Sequence, residues 1–249
     1  MSKYIKIGKR KIGQDYDPVI IAEIGMNHGG SLEVAKEMVD AAYNSGIEII
    51  KHQTHIPEEE LSPLAKEMQL SKMSHGNIYD SLEKLCLNEN EERELKKYVE
   101  QRGMIFISSP FSFAAVDRLE RMNIPAYKIS SSQMNNYPLL EYVASKKKPI
   151  ILSTGMNDMD GVRKAVKTIK KYHEEFAILH CTNIYPTPPD KIRLNALKEI
   201  EETFPDAVIG LSDHSLNNYS SYAALALGAS IIERHFTDRK DRKGDDIIW

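Results

Sequence analysis

Cysteine is almost missing from this chain: 249 residues hold only Cys86 and Cys181. Two thiols cannot build a disulfide framework, and the expected setting is reduced and cytoplasmic. The first segment, Met1 to Asp17, alternates Lys with Ile and has no long apolar stretch. It reads as neither a secretory leader nor a membrane span, so no membrane partner is expected. A surplus of either charge is also lacking. There are 33 Lys and Arg against 36 Asp and Glu, interspersed, for a formal net charge of -3. A nucleic-acid groove would require a basic surplus, so no nucleic-acid partner is expected. A local anion pocket stays open, because it needs only a few aimed donors. Internal repeats and low-complexity tracts are absent beyond a regular strand–helix alternation.

The alternation itself is rich in information. Apolar residues make up 41% of the chain, enough for a sizeable core in one domain. Strands are expected at 19–24, 47–51, 105–108, 126–129, 149–153, 176–180, 207–211 and 230–234. Helices are expected at 31–44, 89–102, 112–122, 137–145, 160–171, 194–203 and 218–227. Ser31 is a good N-cap for the first helix, and Gly46 and Gly103 lie just past the ends of two helices. The pattern predicts an α/β fold, a (β/α)8 TIM barrel, with its final helix missing. Residues 1–17 read as a short N-terminal β-hairpin that plugs the barrel floor, and 18–249 as the barrel. Without an eighth helix, one flank of the first and last strands should lie uncovered, which suggests part of a longer protein. The long polar, Met-rich stretch from Thr54 to Tyr79 reads as a functional loop or lid.

Strand after strand ends in polar groups. The signatures are Ala22-Glu23-Ile24-Gly25-Met26-Asn27-His28, Lys51-His52-Gln53-Thr54, Lys128-Ile129-Ser130-Ser131 and Leu152-Ser153-Thr154-Gly155-Met156. Then come His180-Cys181-Thr182-Asn183-Ile184-Tyr185-Pro186, Gly210-Leu211-Ser212-Asp213-His214 and Glu233-Arg234-His235-Phe236-Thr237. In a parallel barrel all strand C-termini open on one face, where chemistry sits. His214 and His235 end the seventh and eighth strands and should be neighbours. Two convergent imidazoles can hold a divalent ion and leave positions open, and nearby Ser212, Asp213 and Thr237 favour that reading over two structural histidines. Lys128 is accompanied by Ser108, Ser109, Ser130, Ser131, Ser132, Ser153, Thr154, Asn183 and Ser212. One cation ringed by small hydroxyls suits a phosphate. The same lysine could form a Schiff base. Ordinary strand-end polarity explains one or two of these residues and not the whole ring. Glu23 could bind a sugar hydroxyl or move a proton, or form a structural ion pair. Asp245 and Asp246 are a solvated pair or an acid at the mouth. His52 and His55 have metal-like spacing, but on a strand an i, i+3 pair points to opposite faces, so neither is assigned a role. His75 and His173 read as surface, His180 as core or supporting, Met38 and Met122 as core.

In order and spacing these motifs resemble the N-acetylneuraminate (sialic acid) synthase family. The most telling blocks are Ala22-Glu23-Ile24-Gly25, Pro125-Ala126-Tyr127-Lys128-Ile129, Ile150 to Met156, Leu179 to Pro188 and Gly210 to His214. The resemblance implies a phosphoenolpyruvate-dependent condensation with N-acetylmannosamine. It implies phosphoenolpyruvate binding by Ser109, Lys128, Ser131, Ser153, Asn183 and Ser212. It makes His214 and His235 ligands of a divalent metal ion, with Mn2+ ahead of Mg2+ or Co2+. Glu23, Gln53, Asn77, Tyr185 and Asp246 would meet the amino sugar, and Glu23, His235 and Lys128 would be catalytic. It also implies a C-terminal antifreeze-like domain and a homodimer in the full-length protein. Ser109 stands where Thr is common, and Gly244-Asp245-Asp246 where Gly-Pro-Asp is usual; both keep the polar group. A related acceptor, leading to a legionaminic-type acid, fits the same residues.

Overall fold

The structure is a computed structural model that describes residues 3–68 and 77–242. Runs of Val and Ile set the strands, because β-branched side chains favour the pleated backbone. The first two strands are β1 (Tyr4–Ile7) and β2 (Arg10–Gly13). They form an antiparallel hairpin. The barrel strands are β3 (Val19–Gly25), β4 (Ile49–Thr54), β5 (Ile105–Pro110), β6 (Tyr127–Ile129), β7 (Ile150–Ser153), β8 (Phe176–Cys181), β9 (Val208–Asp213) and β10 (Ile231–His235). All neighbours pair in parallel, and β10 pairs with both β9 and β3, so the barrel closes. The eight strands expected from the sequence are the eight observed, within three residues at their ends.

Nine α-helices occur among the described residues: α1 (Leu32–Asn44), α2 (Pro57–Glu60), α3 (Ile78–Leu85), α4 (Glu89–Gln101), α5 (Phe113–Arg121), α6 (Tyr137–Ser145), α7 (Met159–Lys170), α8 (Ala196–Thr203) and α9 (Tyr219–Ala226). Short polar side chains open most of them. Ser31 Oγ accepts from the Val34 N–H at α1, and Asn88 with Glu91 makes a full capping box at α4. The stretch from Thr54 to Tyr79, expected as a functional loop or lid, carries short helices where it is described. It contains α2, a 3-10 turn at Pro63–Lys66 and the start of α3. Pro57 and Pro63 each sit in a first helical turn, where the missing N–H does no harm.

Period-2 alternation sorts every strand into two faces. Inward residues Val19, Ile21, Ile49, Ile107, Ala126, Ile151, Ala177, Leu179, Val208 and Ile231 form one cluster. Ile5, Ile7 and Ile12 of the hairpin join that cluster and close the floor. Outward residues such as Ile24, Ile50, Phe106, Tyr127, Leu152, Ile178 and Leu211 pack under the helices as a second, larger core. No α-helix follows β10 among the described residues. The uncovered flank expected there is visible only at Ile20, which is 48% exposed; Ala22 and Ile232 beside it are buried. The apolar inward layer stops about halfway up. Above it every inward position is polar, and that change makes the site.

Candidate active site

Continuing each inward register by two or four residues reaches Glu23, Lys51, Gln53, Ser109, Lys128, Ser153, Cys181, Ser212, Glu233 and His235. The barrel thus converts a strand periodicity into a ring of functional groups at one end. A cavity of about 230 Å³ opens there. Of the residues expected in the site, it gathers Gln53, Lys128, Ser131, Ser153, Asn183, Tyr185, Ser212, His214 and His235. Glu23 lies just beneath its wall, in contact with Gln53 and Lys51. Ser109 is inward and buried, and its Oγ has no hydrogen-bond partner among the described residues.

The structure does not bring Asn77 into this ring. Its side-chain oxygen caps α3 by accepting from the Asp80 N–H at 2.8 Å. Its amide donates to the Lys66 carbonyl at 2.9 Å. Asn77 is therefore spent on local structure, pinning the 3-10 turn to α3. Asp246 and Asp245 lie outside the described residues, as does His75. Asp213 and Thr237 also do not support the histidine pair as the sequence suggested. Asp213 faces outward, where it accepts from Ser221 at 2.7 Å, from the Ser215 N–H at 2.9 Å and from Arg234 at 3.0 Å. Thr237 donates to the Arg239 carbonyl in its own loop.

Two charges that carry much of the electrostatics went unassigned in the sequence, Lys51 and Glu233. Each sits two residues before an assigned one, Gln53 and His235, so strand periodicity alone puts it on the same face. Lys128 Nζ donates to Ser153 Oγ at 2.7 Å and lies 3.4 Å from Glu233 Oε1. Lys51 is ion-paired to Glu23 and lies 3.9 Å from the same Glu233 oxygen. Ser212 Oγ donates to that oxygen at 3.1 Å. Burial by itself would raise the Glu233 carboxyl. The fields of Lys128, Lys51 and His235 outweigh it and hold the group at about 2, fully ionised. The cavity floor is therefore two lysines balanced by two carboxylates, with hydroxyls between them.

The opposite wall is aromatic and neutral. His214 Nδ1 faces the Thr182 carbonyl at 2.9 Å, so that nitrogen carries the proton. Its Nε2 then accepts from the Tyr185 hydroxyl at 3.0 Å. The Tyr185 ring stacks on the His214 ring at 4.0 Å, and the His214 and His235 ring centres are 5.4 Å apart. Burial, together with mutual repulsion, lowers His214 to about 4. Burial and the nearby Lys51 lower His235 to about 4. Both imidazoles are neutral at physiological pH, the state a metal ligand requires. As a donor set the pair fits a divalent ion in part. It supplies two nitrogens, and no cluster of three or more His, Cys, Asp or Glu joins them among the described residues. Such an ion would complete its shell with water or substrate.

One glycine is demanded by this packing. A Cβ on Gly155 would lie 2.0 Å from Asn183 Oδ1 and 2.8 Å from Ser131 Oγ. Gly155 is what lets the strand-β7 loop pass between two candidate ligand-binding groups. Cys181 also lines the cavity, and burial raises its thiol, so it behaves as a small neutral wall residue. His180 does not line the cavity, and its Nε2 lies 2.7 Å from the Ile192 carbonyl.

The sequence pattern of the NeuB family matches residues 38–249. A human protein named N-acetylneuraminate-9-phosphate synthase is 37% identical over 239 residues, covering 95% of this chain and 67% of that protein. An N,N'-diacetyllegionaminic acid synthase from Legionella pneumophila is 34% identical over 249 residues, covering 97% of this chain and 70% of that one. The crystal structure of N-acetylneuraminic acid (sialic acid) synthetase from Leptospira borgpetersenii, in complex with citrate, aligns with a TM-score of 0.90 at 31% identity. That alignment covers 99% of this chain and 82% of the other.

Proposed function

The chain belongs to the NeuB family, and from that premise we propose that it is a nonulosonic acid synthase. In the reading we favour, it condenses phosphoenolpyruvate with N-acetylmannosamine and water to give N-acetylneuraminate and phosphate. The observation that carries this is the split character of one cavity. A buried lysine with three serine hydroxyls and Asn183 lines one side, and a neutral histidine pair with Tyr185 lines the other. The first side suits a small multiply charged anion; the second suits an oxygen to be polarised.

In that scheme Lys128, with Ser131, Ser153, Ser212 and Asn183, binds the phosphate and carboxylate of phosphoenolpyruvate. Ser109 Oγ, buried on the same ring, adds a donor. His214 and His235 are the residues that would hold a divalent ion such as Mn2+, and a bound ion supplies Lewis-acid polarisation of the sugar aldehyde oxygen. Carbon 3 of phosphoenolpyruvate forms a bond to the aldehyde carbon, and the electron pair of the C=O becomes the new hydroxyl. Water adds at carbon 2, where positive charge develops, and the tetrahedral centre expels phosphate with its bridging oxygen. Glu23, paired with Lys51 and touched by Gln53, is placed to pass a proton to or from sugar or water. Tyr185 and Gln53 orient the sugar. Most of the rate enhancement is positioning and fixed electrostatics. The Lys128–Glu233 ion pair favours an anion-binding ammonium over a Schiff-base nucleophile.

The test is inorganic phosphate release from the full-length protein with phosphoenolpyruvate and Mn2+. The acceptors are N-acetylmannosamine, its 6-phosphate and the diacetamido sugar of the legionaminic series. Ion-dependent release with N-acetylmannosamine supports the favoured reading. Release only with the phosphorylated or diacetamido sugar keeps the mechanism and changes the acceptor. Covalent trapping of pyruvate on Lys128 by borohydride would replace it with an aldolase.

A further inference from the structure

His55 was set aside in the sequence because its spacing to His52 fits no metal site. The structure gives it different work. It lies one residue past β4, is 7% exposed, and its ring stacks on Phe111 with centres 3.9 Å apart. Nδ1 lies 2.9 Å and 3.1 Å from the two carboxylate oxygens of Glu60 in α2. Nε2 lies 3.1 Å from Gln53 Oε1. Gln53 Nε2 in turn donates to Glu23 Oε1 at 3.4 Å, and Glu23 is ion-paired to Lys51. Five side chains thus form one continuous line from α2 to the cavity floor.

The donor inventory of this line sets its directions. Gln53 Nε2 donates to Glu23, so Gln53 Oε1 is the atom that faces His55, and it can only accept. The reverse amide orientation would set Gln53 Oε1 against a Glu23 oxygen, two acceptors facing each other. A donor at His55 Nε2 therefore selects the Gln53 orientation that presents N–H to Glu23 and C=O to His55. The charged and titratable groups around the ring are Glu60, the adjacent His52 and, through Gln53, Glu23 and Lys51. The Phe111 stack holds the ring plane, so only the polar ends are left to set direction.

We infer that His55 is a positioning residue: held by Glu60, it locks the amide of Gln53 and thereby aims Gln53 and Glu23 at the acceptor sugar. This rests on the proposed assignment of Gln53 and Glu23 to the sugar. It makes α2 the outer anchor of the sugar subsite.

The test combines kinetics with a readout independent of turnover. His55→Phe keeps the aromatic stack and removes both ring nitrogens. It should raise the KM for the acceptor sugar about tenfold, with the phosphoenolpyruvate KM and the melting temperature nearly unchanged. His55→Gln keeps one donor toward Gln53 and should recover part of that loss. Equal rises in both KM values, or no change in the sugar KM, would overturn the inference. Separately, the Gln53 side-chain amide protons should be resolved and slowly exchanging in the wild type and averaged in His55→Phe. A Gln53 amide equally mobile in both proteins overturns the inference whatever the kinetics. If the wild-type protein releases no phosphate with any acceptor, the functional proposal fails, and the Gln53 amide spectra still decide this one.

Discussion

Two pairs of histidines meet in this barrel, far apart in sequence and on opposite sides of the same sheet. His214 and His235 face inward across the cavity. His28 and His52 meet in the wall outside β4, with Nε2 atoms 3.3 Å apart and rings stacked at 5.4 Å. The electrostatics of the two pairs are nearly the same. Burial lowers His28 to about 4 and His52 well below its ordinary value, much as it lowers the cavity pair. What differs is what lies opposite. His28 Nδ1 accepts from the Gly30 N–H at 3.2 Å, so its Nε2 donates to His52 and the lone pairs are used up within the wall. Behind them stand Glu92, Arg118, Thr54 and Ser108, which contact one another within the wall. In the cavity pair the His214 Nε2 lone pair is met only by an exchangeable hydroxyl, Tyr185. A perturbed histidine therefore marks a site only when its lone pair opens on a space a ligand can enter.

The strongest way to break this contrast is through the cavity floor. Lys128→Ala should raise the phosphoenolpyruvate requirement by roughly 10²–10³-fold, the scale of losing a charged, water-excluded donor. Near-normal saturation curves would remove Lys128 from the anion site. Next, titration calorimetry should find Mn2+ binding abolished when His214 and His235 are both replaced by Ala, and retained when His28 and His52 are replaced instead. A stoichiometric ion in the first variant, or its loss in the second, reverses the comparison.

A smaller effect separates the wall from the cavity by stability. The folded state keeps His28 neutral, while the unfolded chain takes up a proton below pH 6.5. Stability is thus lost as pH falls from about 6.5 to about 4, by about 3 kcal/mol for this residue. His28→Gln should flatten that acid limb in urea denaturation. Glu92 has the opposite sign. Burial raises it to about 8, against the field of Arg118. The folded state retains a proton that the unfolded chain has released, so stability falls as pH rises toward 8. Glu92→Gln should remove that alkaline slope; an unchanged slope would place the titration elsewhere. Smallest in reach is Gly155→Ala. Its Cβ would push into Asn183 and Ser131, so the phosphoenolpyruvate KM should rise several-fold with the melting temperature little altered.

Much of the barrel was legible because its signal is local. Most strands are short Val- and Ile-rich runs, and six of the nine helices open on a capping side chain such as Ser31 or Asn88. The cavity residues were legible for the same reason: strand ends project onto one rim. Lys51 and Glu233 were readable from their i, i+2 spacing to Gln53 and His235, yet a charge inside an apolar strand looks like a defect until its partner is known. Asn77 was not legible. Its fate depends on a turn at Pro63–Lys66 that only tertiary contacts place beside it. His55 was not legible as more than a residue without a metal role, because the i, i+3 spacing speaks only to metal binding. Its true partners, Glu60 and Gln53, needed the bend after β4 to come into view.

Glu233 stands within ion-pairing distance of Lys128 and near Lys51 through a single oxygen. A carboxylate shared in this way acts as a resident counter-ion. In the proposed reaction, an entering anion would draw the lysines from Glu233, and its departure would return them. Both lysines keep a counter-ion within the protein itself, so neither depends on a ligand for charge balance in the buried floor.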